Sequence, residues 1–136
     1  MTPKIEAQIG SDVFQVLIDT GSTRTIVSSK LYLQLRKKDA GIKMIPVTVK
    51  CVNASGHDLD IIGQTKFSLK VGGFSWKWEF LVSRRLIGCP ILGVDFIREN
   101  RMVLDLGQGR FSFGFAPKRY FYFGGEELVS RCTPQK

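Results

Sequence analysis

Four runs of this chain have strand-like patterns and pair across short turns. They are residues 5 to 9 with 13 to 18, and residues 67 to 71 with 74 to 82. Three of them alternate apolar and polar residues, and the run 13 to 18 is almost continuously apolar, which predicts that both its faces are buried. A period of two is typical of strands, because successive side chains point to opposite faces of a sheet. Gly72-Gly73 separates the second pair, and a glycine pair in that place is a strong hairpin signal. Two antiparallel hairpins are therefore predicted.

Weaker signals add further short elements. In chain order they are a β-prone fragment at 25 to 27, a helix that ends in the basic residues 36 to 38, a hairpin over 45 to 62 with its tip at 53 to 56, a helix over 95 to 100, and a hairpin that pairs 102 to 106 with 111 to 115. Ser28 or Ser29 is the candidate N-cap of the first helix, and basic residues in its last turn suit the helix dipole.

The composition agrees with one mainly β domain. The chain has 136 residues, of which 43% are apolar and 14 are glycine. This length is ordinary for a single domain, and abundant glycine is typical of strands joined by tight turns. We predict an all-β domain with one or two short helices over residues 1 to 116. A basic, aromatic tail or linker is expected over residues 117 to 136.

The net charge of +8 raises the question of a nucleic-acid partner. The basic residues are scattered, however, and aromatic residues are not interleaved with them in a stacking pattern, so direct nucleic-acid binding is not expected. The chain has no apolar run of membrane-spanning length and no signal-peptide pattern at its N-terminus, which predicts a cytoplasmic protein without a membrane partner. Cys51, Cys89 and Cys132 lack metal-type spacing and are expected to be free thiols.

Asp19 follows the apolar run of residues 13 to 18 directly, within Asp19-Thr20-Gly21-Ser22. A carboxylate beside a buried strand is costly to desolvate, so it needs a partner or a function. Gly21 permits a tight turn, and the hydroxyls of Thr20 and Ser22 can donate hydrogen bonds. The same residues are also good turn formers, so the motif alone leaves an ordinary turn open.

The motif does not stand alone. Ile18-Asp19-Thr20-Gly21-Ser22, with the β-prone residues after it, resembles the active-site loop of retropepsins, the aspartic proteases of retroviruses and retrotransposons. Some seventy residues later, Ile91-Leu92-Gly93 resembles their second signature, and a glycine-tipped hairpin lies between the two signatures where that family has its flap. The run Gly93-Val94-Asp95-Phe96-Ile97 is most similar to proteases of gypsy-type retrotransposons. The resemblance covers residues 4 to about 115.

This resemblance implies a fold and a mechanism. The fold would be a closed β-barrel subunit of a two-fold symmetric homodimer. Asp19 of each copy would supply one of two catalytic carboxylates, which share a proton and activate a water without metal or cofactor. The substrate would be a polypeptide cut between hydrophobic residues, most simply the protein's own Gag-Pol-type polyprotein. The location would then be the cytoplasm or the interior of virus-like particles.

Roles for other residues follow from the same resemblance. Thr20 is expected to bond to the opposite loop, and Gly21 is expected to offer its carbonyl to substrate. Ile91 and Leu92 are expected to support the loop and to line substrate pockets beside Gly93. The flap tip is expected to close over the peptide through Asn53, Ala54, Ser55 and Gly56.

Two expectations concern this chain in particular. Ser22 stands where many retroviral members have alanine, so its hydroxyl is expected to bond to the catalytic carboxylate, favour the charged form and make the activity optimum more acidic. Arg24 and Asp95 lie on loops that pack together in the family. They are expected either to form an ion pair that braces the active-site floor or to be separately solvated.

Three alternatives remain open at this point. A cellular retropepsin-like protease, such as a Ddi1-like or skin-type enzyme, has the same catalytic loop. A catalytically silent dimer would bind peptides only, although it would have no need of Asp19. One lobe of a pepsin-like enzyme is the third alternative, but the chain is too short for two lobes.

Overall fold

The computed structural model describes residues 2 to 124. Along this part of the chain, nine strands and two short helices follow one another. They are β1 (Lys4–Ile9), β2 (Asp12–Ile18), β3 (Ile26–Ser28), α1 (Ser29–Lys38), β4 (Ile61–Val71), β5 (Phe74–Ser83), β6 (Ile91–Leu92), α2 (Val94–Glu99), β7 (Val103–Asp105), β8 (Arg110–Phe113) and β9 (Ala116–Tyr122). The all-β prediction with two short helices is confirmed.

Six of the strands close into a barrel in the order β1-β2-β6-β3-β5-β4. The hairpins β1–β2 and β4–β5 are antiparallel, as their alternation predicted. The short strands β3 and β6 close the barrel: β6 runs parallel to β2, and β3 runs parallel to β5. Because β2 and β6 lie side by side, the segments that follow them, which carry Asp19 and Gly93, are brought together.

A second sheet, in the order β7-β8-β9, packs against the barrel through aromatic side chains. Phe113 of β8 is fully buried, and its ring centroid lies 5.7 Å from that of Phe74 and 5.3 Å from that of Trp76. The indole N–H of Trp76 donates a 2.8 Å hydrogen bond to Asn100 at the end of α2. Barrel, second sheet and α2 therefore share one core, in which Trp76 is a packing residue.

Helix α1 begins as its sequence predicted. The side chain of Ser28 accepts a 3.0 Å hydrogen bond from the backbone N–H of Leu31 and so caps the first turn. The last turn carries three basic residues, which complement the partial negative charge of the helix end. Leu31, Tyr32 and Leu35 bury one face of α1 against the barrel.

Two predicted elements differ from the structure. The long hairpin over 45 to 62 does not form a continuous ladder: Val52 makes an isolated bridge with Asp58, and Ile45 pairs with Gln64, beyond the predicted range. Pro46 has no N–H to donate to such a ladder. The tail predicted from residue 117 instead forms β9 as far as Tyr122. This edge strand tolerates Pro117 and basic side chains because its outer side faces solvent. Residues 125 to 136 of the predicted tail lie outside the described residues.

The expectation of free thiols is correct at Cys51 and wrong at Cys89. Cys51 is free and half-buried, whereas Cys89 is buried and disulfide-bonded. An odd cysteine count does not keep every thiol free. Cys132 lies outside the described residues. None of the helices between residues 2 and 124 is long and apolar enough to span a membrane.

Candidate active site

Asp19 lies at the end of β2, where the chain leaves the barrel and turns. Ile18 before it is buried, Asp19 itself is half-buried, and Thr20 is exposed. The backbone N–H of Asp19 donates a 3.0 Å hydrogen bond to the carbonyl of Leu92, which ties the loop to β6. The sequence had suggested a buried carboxylate. The single chain instead presents the carboxylate, half-buried, at its surface.

The turn holds the carboxylate of Asp19 in place through backbone groups. The N–H of Gly21 donates a 2.9 Å hydrogen bond to Oδ1 of Asp19, and the N–H of Ser22 donates to the carbonyl of Asp19 at 3.1 Å. One carboxylate oxygen is thus engaged, and the other is not hydrogen-bonded to a described residue.

The hydroxyl of Ser22 does not bond to the carboxylate of Asp19. It donates instead to the carbonyl of Arg24 at 2.7 Å. A serine hydroxyl competes well for a carbonyl two residues away, because little chain has to be ordered to form that bond. The expected bond from Ser22 to the Asp19 carboxylate is therefore wrong, and the more acidic optimum stays a prediction.

Gly93 is where the second signature meets the first. A Cβ atom at Gly93 would overlap the carbonyl oxygen of Arg24 and would lie 2.7 Å from that of Ser22. Beside it, the N–H of Val94 donates to the carbonyl of Ser22 at 2.7 Å, and that of Asp95 donates to Thr23 at 3.3 Å. Only a residue without a side chain allows the two loops to approach this closely.

Ile91 and Leu92 support the loop from within the barrel. Ile91 is opposite Leu17 and Leu92 is opposite Ile18 in the parallel pairing of β6 with β2. Leu92 is completely buried, so it packs behind the loop and does not line a substrate pocket. A pocket-lining role stays a prediction for Ile91, which retains slight exposure.

Thr25 links the two loops, and the sequence analysis missed it. Its hydroxyl accepts a 3.1 Å hydrogen bond from the N–H of Gly93 and donates a 2.7 Å hydrogen bond to Oδ1 of Asp95. Its backbone N–H donates to Oδ2 of Asp95 at 3.2 Å. Thr25 is 1% exposed. A hydroxyl residue directly before a buried strand is the signal that could have identified it, because such a group must find partners.

The proposed ion pair between Arg24 and Asp95 is not formed. Both oxygens of Asp95 are occupied by Thr25, and Oδ1 also accepts the N–H of Phe96. The ion pairs among residues 2 to 124 involve Asp12, Asp60 and Asp105, and none involves Arg24. Asp95 does brace the loop, but through its neighbour Thr25.

The predicted flap tip is a small exposed turn. The side chain of Asn53 accepts hydrogen bonds from the N–H groups of Ser55, at 2.9 Å, and His57, at 3.0 Å. Ala54 and Gly56 are exposed, and Gly56 has a positive φ of 83°, which glycine adopts without strain. The tip is internally ordered and free of packing on the barrel, and its role towards substrate stays a prediction.

A shallow pocket of about 110 Å³ borders Asp19 on its exposed side. It is lined by Thr2, Pro3, Ile18, Asp19, Thr20, Leu104 and Leu106. Leu106 is 64% exposed there, just beyond the end of β7. Among the described residues no three His, Cys, Asp or Glu side chains are grouped to hold a metal ion. The chemistry at this surface is that of one hydrogen-bonded carboxylate with both polar and apolar neighbours.

Comparison with solved structures places this geometry among known folds. The retroviral protease-like domain of Ddi1 from Leishmania major matches with a TM-score of 0.67 and 15% identity, covering 93% of this chain and 96% of that one. The chain has a retroviral-protease-like fold. EIAV protease, solved in complex with the inhibitor HBY-793, matches with a TM-score of 0.59 and 22% identity, covering 73% and 88%.

Among the comparisons, the match comes from the structure and not from the sequence. No protein-family model matches the sequence, and no curated protein matches it either. Identities of 15% and 22% establish the fold alone. The particular likeness to gypsy-type proteases stays a prediction from residues 93 to 97.

Proposed function

We propose that this chain is one subunit of a homodimeric aspartic endopeptidase. The observation that carries the proposal is the position of Asp19 at the exposed end of β2, fixed by Gly21 and by the β6 segment that ends at Gly93. A carboxylate held this firmly at a surface is ready to meet a symmetry-related copy of itself. Each chain would supply half of the site.

Two Asp19 carboxylates that approach closely cannot both ionise at low cost, so the pair holds one proton. The ionised member takes a proton from a water, and the protonated member donates to the carbonyl oxygen of the scissile peptide. The water oxygen then bonds to the carbonyl carbon. When the C–N bond breaks, the leaving nitrogen receives a proton and the site returns to its starting state.

The remaining loop and tip residues would position the substrate. Thr20, exposed beside Asp19, would bond to the opposite loop and hold the two carboxylates in register. The carbonyl of Gly21 would accept a hydrogen bond from the substrate backbone. Residues 53 to 56 would close over the peptide, which adds main-chain hydrogen bonds and excludes water.

The substrate we favour is a Gag-Pol-type polyprotein cut between hydrophobic residues. The support is the likeness of residues 93 to 97 to gypsy-type proteases, and the protein would act in the cytoplasm or within virus-like particles. A cellular protease of the Ddi1-like kind is equally consistent with the fold, since one matching structure is a Ddi1 domain. Efficient cleavage of peptides from the protein's own flanking sequences would favour the polyprotein, and their resistance would favour the cellular role.

The test is hydrolysis of a peptide library between about pH 4 and pH 7, with and without pepstatin. Asp19→Asn should abolish cleavage. Asp39→Asn is the matched control, because Oδ1 of Asp39 likewise accepts a 2.9 Å hydrogen bond from a glycine N–H two residues on. Cleavage that survives in the Asp19→Asn protein would end the proposal, as would a wild-type protein that cleaves nothing while dimeric.

A further inference from the structure

Arg24 is a half-buried cation without a carboxylate partner among residues 2 to 124. The ion pairs in that range join Lys38 to Asp12, Arg84 to Asp60 and Arg110 to Asp105. The nearest acid along the packed loops, Asp95, already accepts hydrogen bonds at both oxygens. A guanidinium that is partly withdrawn from water gains more from an anion than a fully solvated one does.

Arg24 lines an open pocket of about 410 Å³ that is rich in positive charge. The other lining residues are Lys66, Lys77, Trp78, Glu79 and Asp95. The carboxylate of Glu79 accepts a 2.9 Å hydrogen bond from the side chain of Gln64. Three cationic side chains and two carboxylates therefore line the pocket, and this excess of positive charge favours entry of an anion.

Arg24 connects this pocket to the candidate active site. Arg24 lies on the loop that begins at Asp19, and its carbonyl receives the hydroxyl of Ser22. Its charge also reaches the base of the tip segment: burial raises the pKa of the Cys51 thiol, and the charge of Arg24 opposes that rise. The carbonyl of Cys51 accepts a hydrogen bond from the N–H of Leu59, at the base of the segment that carries the tip residues 53 to 56. Arg24 thus lies near both structures that would hold a peptide.

We infer that Arg24, assisted by Lys66 and Lys77, forms a binding pocket for an acidic side chain of the peptide substrate. The inference rests on the proposed function, because a peptide that reaches Asp19 and passes under the tip segment runs beside Arg24. A glutamate or aspartate of the substrate supplies the carboxylate that the chain does not. The specificity of the enzyme then has two parts, apolar residues at the cleaved bond and an acid to one side of it.

The test compares pairs of peptides that differ only by Glu or Gln at one position flanking the cleaved bond. Wild type should cleave the Glu member of one such pair about tenfold better in kcat/KM, mainly through a lower KM. Arg24→Gln should remove this preference, Arg24→Lys should retain part of it, and Arg24→Glu should favour a Lys peptide. Arg36→Gln, an exposed arginine on α1, is the control and should keep the wild-type ratio.

A second measurement separates this inference from the proposed function. Binding of the same fluorescent peptide pairs to the Asp19→Asn protein requires no cleavage. A Glu preference in binding that disappears with Arg24→Gln supports the pocket even if hydrolysis fails. Equal binding of every Glu and Gln pair to the wild-type Arg24 pocket overturns it, and so does a preference that survives Arg24→Gln, whatever the catalytic outcome.

Discussion

The hydroxyl of Thr25 donates a 2.7 Å hydrogen bond to Asp95 across a separation of 70 residues. The same hydroxyl accepts from the N–H of Gly93, so one buried oxygen joins both loops of the candidate active site. Because Asp19 bonds to the carbonyl of Leu92 next to Gly93, the position of its carboxylate depends on this junction. Thr25 and Asp95 are therefore positioning residues for Asp19 in the proposed enzyme.

Replacing Thr25 with valine should damage both stability and activity. Valine fills the same space but leaves the N–H of Gly93 without its acceptor and removes one of the two hydrogen bonds to Oδ1 of Asp95, at a cost of about 1–3 kcal/mol. Thr25→Ser keeps the hydroxyl and should recover most of the loss. Urea unfolding and peptide hydrolysis measure the two effects. Equal stability of the valine and serine variants would contradict the role of the hydroxyl.

Gly93→Ala should lower stability and activity by more than the addition of one methyl group usually does. The added methyl group would overlap the backbone oxygen of Arg24, and a backbone atom cannot move aside without shifting the loop. We expect a loss of about 1–3 kcal/mol in unfolding free energy, together with most of the activity. Gly107→Ala is the control, since its nearest neighbour would be 3.5 Å away. An unchanged melting temperature for Gly93→Ala would contradict the close approach.

The sequence predicted those elements whose patterns involve residues close together in the chain. The hairpins β1–β2 and β4–β5 follow from alternation around short turns, and α1 follows from its cap at Ser28. The parallel pairing of β2 with β6 was not readable from local patterns, because it joins residues far apart in the chain. Only the resemblance to retropepsins implied that residues 91 to 93 meet the Asp19 loop.

A pattern of residue types does not determine which hydrogen-bond partners form within the site. Asp95 had two candidate partners, Arg24 and Thr25. Thr25 is the partner because its backbone N–H and its short side chain lose little conformational freedom when they bond. A long arginine side chain loses more on pairing. Ser22 likewise had two acceptors, and the nearer carbonyl prevailed. Where two nearby groups could form the same hydrogen bond, the local backbone geometry determines which of them does.

Leu106→Asp should weaken the proposed dimer. Leu106 is 64% exposed beside Asp19 and Thr20, so a second copy that faces those residues would cover it. A buried aspartate there should raise the dimer Kd by about tenfold or more, measured by sedimentation velocity. Leu33→Asp is the matched control, a leucine on α1 that is 57% exposed and lies away from this pocket. If both variants dimerise like wild type, this surface is not the interface.

The ion pair between Lys38 and Asp12 should make stability depend on acid pH. Their 2.7 Å contact and a hydrogen bond from Gln34 hold the pKa of Asp12 below its ordinary value of 3.8. Because the folded-state pKa is the lower one, the stabilisation is present above the unfolded value and is lost as pH falls through the folded value. Asp12→Asn and Lys38→Gln should both reduce this loss of unfolding free energy at acid pH, measured by urea unfolding at several pH values. Lys37→Gln should leave the loss unchanged.

Ending the chain after residue 116, where the sequence placed the domain boundary, should destabilise it. That truncation removes β9 and with it Phe121, whose ring lies 5.5 Å from Phe111 and 6.0 Å from Phe74. Phe111 is 2% exposed in the intact sheet and would lose its cover. We expect a loss of about 3 kcal/mol or more relative to a chain that ends after residue 124, measured by urea unfolding at equal protein concentration. Equal midpoints for the two truncations would mean that β9 adds nothing to the core, and residues 117 to 124 would then be a linker after all.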